Sequence, residues 1–188
     1  MLDMKDDTLR ARLRRETTAV HDRLDRAVSG LDLSSLQGFS TFVAMQEAAF
    51  AALVDAGVRG VFVTQECLAD LHDACRLDLK ALGRAPVARL GAAKGLRAEA
   101  VDHIILGSRL GTEVLRPRWQ ASDDARVVSA DAYFSQPSLQ TLWRQHCDAL
   151  NMTSASDDAA DAILADAQAI FELFHAALIS ADWGKQHD

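Results

Sequence analysis

A repeat of apolar positions spaced by four, four, three, four and four residues opens the chain. Leu9, Leu13, Thr17, Val20, Leu24 and Val28 make one stripe along a helix from Thr8 to about Ser29, and Gly30 stands where such a helix stops. The same period recurs to the end of the chain, because only three prolines and ten glycines interrupt 188 residues. Ser34 and Ser35 offer N-caps for a second helix carrying Phe39, Val43, Phe50 and Leu53 and ending near Gly57. Thr64 or Gln65 begins a third, with Leu68, Leu71, Cys75, Leu79 and Leu82 inward, stopped by Gly83 and Pro86. After the small-residue linker Leu90-Gly91-Ala92-Ala93-Lys94-Gly95, a fourth helix is expected from about Arg97 to Arg116, ended by Pro117. Ala121 to Ser135 reads as irregular, anchored by Tyr133 and Phe134. Ser138 caps a fifth helix with Leu139, Leu142, Trp143 and Leu150. Ser154 to Asp157 opens the last, with Ile163, Ile170, Phe171, Phe174 and Leu178. Val58 to Val63 resembles a strand but has no partner strand, so it is expected to be a packed connection. The expectation is all-α: one compact bundle of about six helices over residues 1–188.

Charge narrows the classes of function. A net charge of −7 argues against a general nucleic-acid partner, whose footprint is basic. The charge is uneven: residues 84–118 carry seven basic against three acidic side chains, whereas residues 151–188 carry one against seven. The acidic end reads as a solvated helix face. Met1-Leu2-Asp3-Met4-Lys5-Asp6-Asp7 lacks the apolar run of a signal peptide, and no stretch suggests the roughly twenty apolar residues of a spanning helix. Cys67, Cys75 and Cys147 match no zinc spacing and read as reduced thiols. These features point to a cytoplasmic protein without membrane or nucleic-acid contacts.

Of six histidines, His72, His146, His175 and His187 lie in no pattern of metal-ligand type, and His72-Asp73 reads as surface. His21 differs. It borders the first helix's apolar stripe, with Arg14 two turns before it, Thr17 one turn before and Asp25 one turn after, all on its side. A carboxylate at i+4 can bond one imidazole nitrogen and leave the other as a ligand. Taken by itself, the spacing favours a structural histidine at a helix edge.

The fourth helix has an unusual centre, Ile104-Ile105-Leu106-Gly107-Ser108-Arg109-Leu110-Gly111-Thr112. Two glycines four apart share a face inside a helix, each costing about 1 kcal/mol relative to Ala. Bare backbone there admits either a flat ligand or a closely packed helix.

The segment from Leu13 to Asp25 resembles the proximal helix of heme oxygenases through Leu13, Arg14, Thr17, His21 and Asp25. Gly107-Ser108-Arg109-Leu110-Gly111-Thr112 resembles the family's glycine-rich distal helix in its bacterial, phytochrome-linked branch. Asp32-Leu33 leading into Phe39-Ser40-Thr41-Phe42, and Leu77 to Gly83, match further segments in order, so the resemblance covers about residues 9–116. It implies a heme-oxygenase-like helical bundle with heme, both cofactor and substrate, between the two helices. His21 would be the axial iron ligand, Asp25 its hydrogen-bond partner, and Arg14 the partner of a propionate, with Thr17 and Arg109 in the binding set and Arg116 and Lys94 as further cations. Gly107, Ser108, Gly111 and His103 would form the catalytic distal side. The macrocycle would be opened to biliverdin, carbon monoxide and ferrous iron, with electrons from a ferredoxin or an NADPH-dependent reductase, and a bacteriophytochrome could receive the biliverdin.

The match has departures. Ser108 stands where many relatives have Asp, and Thr112 replaces a glycine and is expected to add a β-branched side chain near the heme. His103 and Leu106 replace a tyrosine and an acidic residue. A heme-binding relative without turnover is therefore a second expectation. A histidine phosphotransfer bundle with an exposed His21 is a third, but it leaves Gly107 and Gly111 without a role.

Overall fold

The computed structural model describes residues 8–91 and 95–182, which form α1 (Leu9–Ser29), α2 (Leu36–Asp55), α3 (Gln65–Ala81), α4 (Ala98–Gln120), α5 (Ala125–Ser129), α6 (Gln140–Asn151) and α7 (Asp158–Asp182). The fold is all-α, as expected. The readings placed on Met1–Asp7, Lys94 and His187 lie outside the described residues. The starts of α1, α2 and α3 follow from their caps: Thr8, Ser35 and Thr64 are extended, and each side chain accepts from a backbone N–H three residues on. Gly57 and Gly83 follow α2 and α3 at φ 66° and 68°, where a Cβ would be strained.

α2 is the centre. Every residue from Gly38 to Leu53 is buried, and α3 and α7 pack along it. Phe39, Phe42 and Phe134 stack with centroids 5.9–6.3 Å apart, Trp119 tilts against them, and Tyr133 meets Phe42 edge-on. α1 and α4 flank this centre and send Leu9, Leu13, Ile105 and Leu106 into the core. Each packs on α7 and on α6, but the two make no extensive contact with each other.

Two buried carboxylates tie connections to helices. Asp102 of α4 accepts from the N–H groups of Val61, Phe62 and Val63, which explains why Val58 to Val63 packs without a partner strand. Gly60 is needed there, because a Cβ at that position would overlap the Asp102 carboxylate. Asp78 of α3 accepts from Ala132 and Tyr133 at 2.8 and 2.9 Å, and burial pushes its carboxyl up to about 6. It thereby fixes the loop whose Tyr133 and Phe134 enter the core.

Four expectations need correction. α4 passes through Pro117 to Gln120, because its last turn is held from outside. Trp119 Nε1 donates to the Val127 carbonyl at 2.9 Å, and Arg118 bonds the carbonyls of Ser29 and Leu31. The 121–135 stretch contains a short helix, α5, started by the Asp124 side chain on Arg126 N–H. His72 is not a surface group: its Nε2 pairs with the buried Glu47 carboxylate at 3.0 Å. Finally, α7 is long and apolar enough to cross a membrane by length and composition, with a mean hydropathy of 1.5 over an 18-residue window. In this fold α7 buries Ala160, Ile163, Ala167, Ile170, Phe174 and Ala177 against α1, α2 and α4.

Asp102→Ala would leave three backbone donors unpaired. Urea unfolding at pH 7 should show a loss of about 2–4 kcal/mol. A change below about 0.5 kcal/mol would mean that water replaces the carboxylate.

Candidate functional site

An α-helix turns about 100° per residue, which divides α4 into two sides. Arg109, Thr112 and Ile105 point to the core, while His103, Gly107, Leu110, Gly111 and Val114 share the opposite side. That side is only partly covered: Gly111 is exposed and Val114 is 76% exposed. A Cβ built at Gly111 meets nothing within 4 Å. A Cβ at Gly107 would lie 3.5 Å from Cζ3 of Trp143, an ordinary contact. Neither glycine is required by neighbouring packing in this fold. Helix propensity alone would favour Ala at both positions.

On α1 the His21 side chain is 58% exposed and sets its ring edge-on to Phe171 of α7, with centroids 5.7 Å apart. Its Nδ1 is 3.4 Å from Asp22, not bonded to Asp25, which corrects the expected i+4 partnership. The adjacent carboxylate lies nearer than the one a turn away. Thr17 is buried and donates to the Leu13 carbonyl at 2.7 Å, so its hydroxyl is satisfied within its own helix.

The arginines of α1 divide by side. Arg12 pairs with Glu16 and Asp161, and Arg23 pairs with Glu172 of α7. Arg10 and Arg14 share His21's side of the helix, are exposed, and form no ion pair among the described residues. Unpaired cations beside an exposed imidazole suit an anionic ligand.

Burial pushes the His103 imidazole of α4 down to about 4, and the positive charge of Arg10 on α1 adds to the effect. His146 of α6 is likewise held near 4 by burial. His103, Trp143 and His146 form one aromatic cluster, with centroids 5.4, 5.6 and 6.0 Å apart. Both imidazoles are neutral at pH 7, and His103 Nδ1 and His146 Nε2 are buried without a hydrogen-bond partner.

Arg109, Thr112 and Arg116 are turned away from the glycine side, and Ser108 is bonded within its own helix. Arg109 is buried on the core side, donates to the carbonyls of Tyr133 and Gln136 at 3.4 and 3.2 Å, and lies over the Tyr133 ring. It is therefore not placed to reach a propionate between α1 and α4. Ser108 Oγ donates to the Ile105 carbonyl at 2.9 Å. Thr112 Oγ1 donates to the Ser108 carbonyl and meets the Tyr133 hydroxyl, so its β-branched side chain does not crowd the glycine side. Arg116 is held by Glu113 and the Phe134 carbonyl.

Trp143, His146 and Phe171 are the site residues that sequence reasoning missed. All three read as core or background. The signal available was the i,i+3 pair of Trp143 and His146, which share one side of α6. Among the described residues, cavities of about 280 and 210 Å³ lie elsewhere, at Leu90 and Leu96 against α7 and at Thr64, Cys67 and Pro137. Both fall below the roughly 300–1,000 Å³ of small-molecule pockets.

Two outcomes follow. Gly111→Ala should stabilise the unliganded chain by about 0.5–1 kcal/mol in urea unfolding, through helix propensity alone; destabilisation would mean that the backbone there is not ordinary helix. The depressed histidines bind fewer protons in the native state than in the unfolded one. Their contribution is therefore complete above pH 6.5 and lost as pH falls toward 4. Asp78, raised to about 6, acts in the opposite sense over the same window. His146→Phe should make the fall in urea midpoint between pH 6.5 and 4.5 shallower, and an unchanged slope would contradict the assignment.

No protein-family model matches this sequence, and no curated protein matches it either.

Proposed function

We propose that the chain binds heme between α1 and α4 and opens it oxidatively to biliverdin, carbon monoxide and ferrous iron, as a heme oxygenase does. The observation that carries the proposal is Gly111. It sits mid-helix at a cost in helix propensity, faces open space, and shares its side of α4 with Gly107 and the neutral His103. A flat macrocycle uses bare backbone of this kind, because it must come within contact distance of the helix.

The residues present fit that group. His21 would offer its exposed imidazole to the iron, with Phe171 beside it as an apolar wall. Arg10 and Arg14, which form no ion pair among the described residues and lie on the same side, would be the cations for the propionates, and take the part that the resemblance gave to Arg14 and Arg109. Heme supplies the redox chemistry and the bond that is opened, with electrons from an external donor such as a ferredoxin or an NADPH-dependent reductase. The chain's own part is to hold the macrocycle, exclude water and present backbone on the distal side. Among the described residues His103 is the polar side chain on the glycine side of α4, and in its neutral form it can donate one hydrogen bond and accept another. A cytoplasmic setting, and a bacteriophytochrome as one recipient of the biliverdin, belong to the same proposal.

A second reading, heme binding without turnover, is favoured by one observation: the hydroxyls of Ser108 and Thr112 are both taken up by carbonyls of α4 itself. Titration with hemin separates the readings. The wild-type chain should develop a Soret band that His21→Ala weakens or shifts. Gly111→Leu should abolish binding while leaving the unliganded fold at least as stable. Ascorbate or a ferredoxin system should then bleach the Soret band and raise biliverdin absorption. Binding without conversion supports the second reading. Absence of a Soret band overturns both, and phosphate transfer onto His21 would support the signalling alternative.

A further inference from the structure

The α6 helix touches both α4 and α1, and its Trp143 lies over Gly107. The indole is half-buried and sits against His103 and His146. Among the described residues it makes no hydrogen bond, whereas the indole of Trp119 donates to the Val127 carbonyl. Trp143 is thus held by packing alone, against the core and over the bare backbone at Gly107, at the edge of the side where a flat ligand would lie. Gly111, one turn further on, remains open. A macrocycle spanning both glycines must meet this indole, which occupies the surface over Gly107.

We infer that Trp143 is the movable side wall of the site: it covers Gly107 in the unliganded chain and is displaced along the α4 surface when a planar ligand enters from the Gly111 end. This deepens the proposed function and rests on it. Trp143 is a positioning residue, setting how far the ligand can slide toward His103. The pair His103 and His146 forms the aromatic bed against which the indole rests in the closed form.

The test uses the full chain labelled with 5-fluorotryptophan, with gallium(III) protoporphyrin IX as a diamagnetic probe and binding followed in parallel by the Soret shift. Resonances are assigned with Trp143→Phe and Trp119→Phe. The Trp143 signal should move by many linewidths on saturation while that of Trp119 stays within one. Trp143→Ala, checked for folding by circular dichroism, should bind the probe roughly tenfold faster, because the closed form no longer competes. Trp143→Phe, which keeps an aromatic ring, should fall between. Binding only to Trp143→Ala would also sustain the inference, since the indole would then bar the site. Probe binding with an unmoved Trp143 signal, and no gain in rate for Trp143→Ala, would overturn the side wall and leave the proposed function standing. Failure of both the wild-type chain and Trp143→Ala to bind would overturn the two together.

Discussion

The complete burial of α2 from Gly38 to Leu53 is the constraint on which the rest of the molecule depends. A helix enclosed on all sides needs neighbours on every side, and α3 and α7 supply most of them. The phenylalanines of α2 then call for Tyr133, Phe134 and Trp119, which come from a loop and from the last turn of α4. Asp78 and Asp102 make those irregular segments affordable by taking up their backbone N–H groups. With the centre filled in this way, α1 and α4 are left as outer helices that meet through α6 and α7. Their inward sides are used up by the core. Their remaining sides carry His21 and the two glycines.

Much of this was legible in the sequence, and the reasons are local. The stripe from Leu9 to Val28 and the caps Thr8, Ser35 and Thr64 are short-range signals, and α1, α2 and α3 begin where they indicate. Long-range compensation was not legible. Pro117 reads as a stop because nothing nearby shows that Arg118 and Trp119 will be pinned by residues distant in sequence. His72 reads as surface because Glu47 lies twenty-five residues earlier. The short α5 was hidden in a polar segment whose only strong marker is the cap at Asp124.

For the site, helical geometry carried further than the choice of partners. The spacing that sets His21 with Arg14 on one side of α1, and Gly107 with Gly111 on one side of α4, follows from helix period alone. Asp25, Arg109 and Thr112 depend on rotamers and on what lies opposite, which spacing does not specify. Arg109 turns to carbonyls and to the Tyr133 ring because its side of α4 is the core side. The same turn clears the glycine side of bulk, with Thr112 directed to Tyr133. In the proposed site Arg10 takes the place expected of Arg109, since it lies on His21's side and forms no ion pair among the described residues.

The account's central claim is that His21 and the bare backbone of α4 hold one planar ligand between them. Resonance Raman spectroscopy of the ferrous heme complex tests it most directly, through the iron–histidine stretching band. The account predicts that the band is present in the wild-type chain, absent in His21→Ala, and restored when imidazole is added to that variant. A band that persists unchanged in His21→Ala would contradict it, because the iron would then be bound elsewhere.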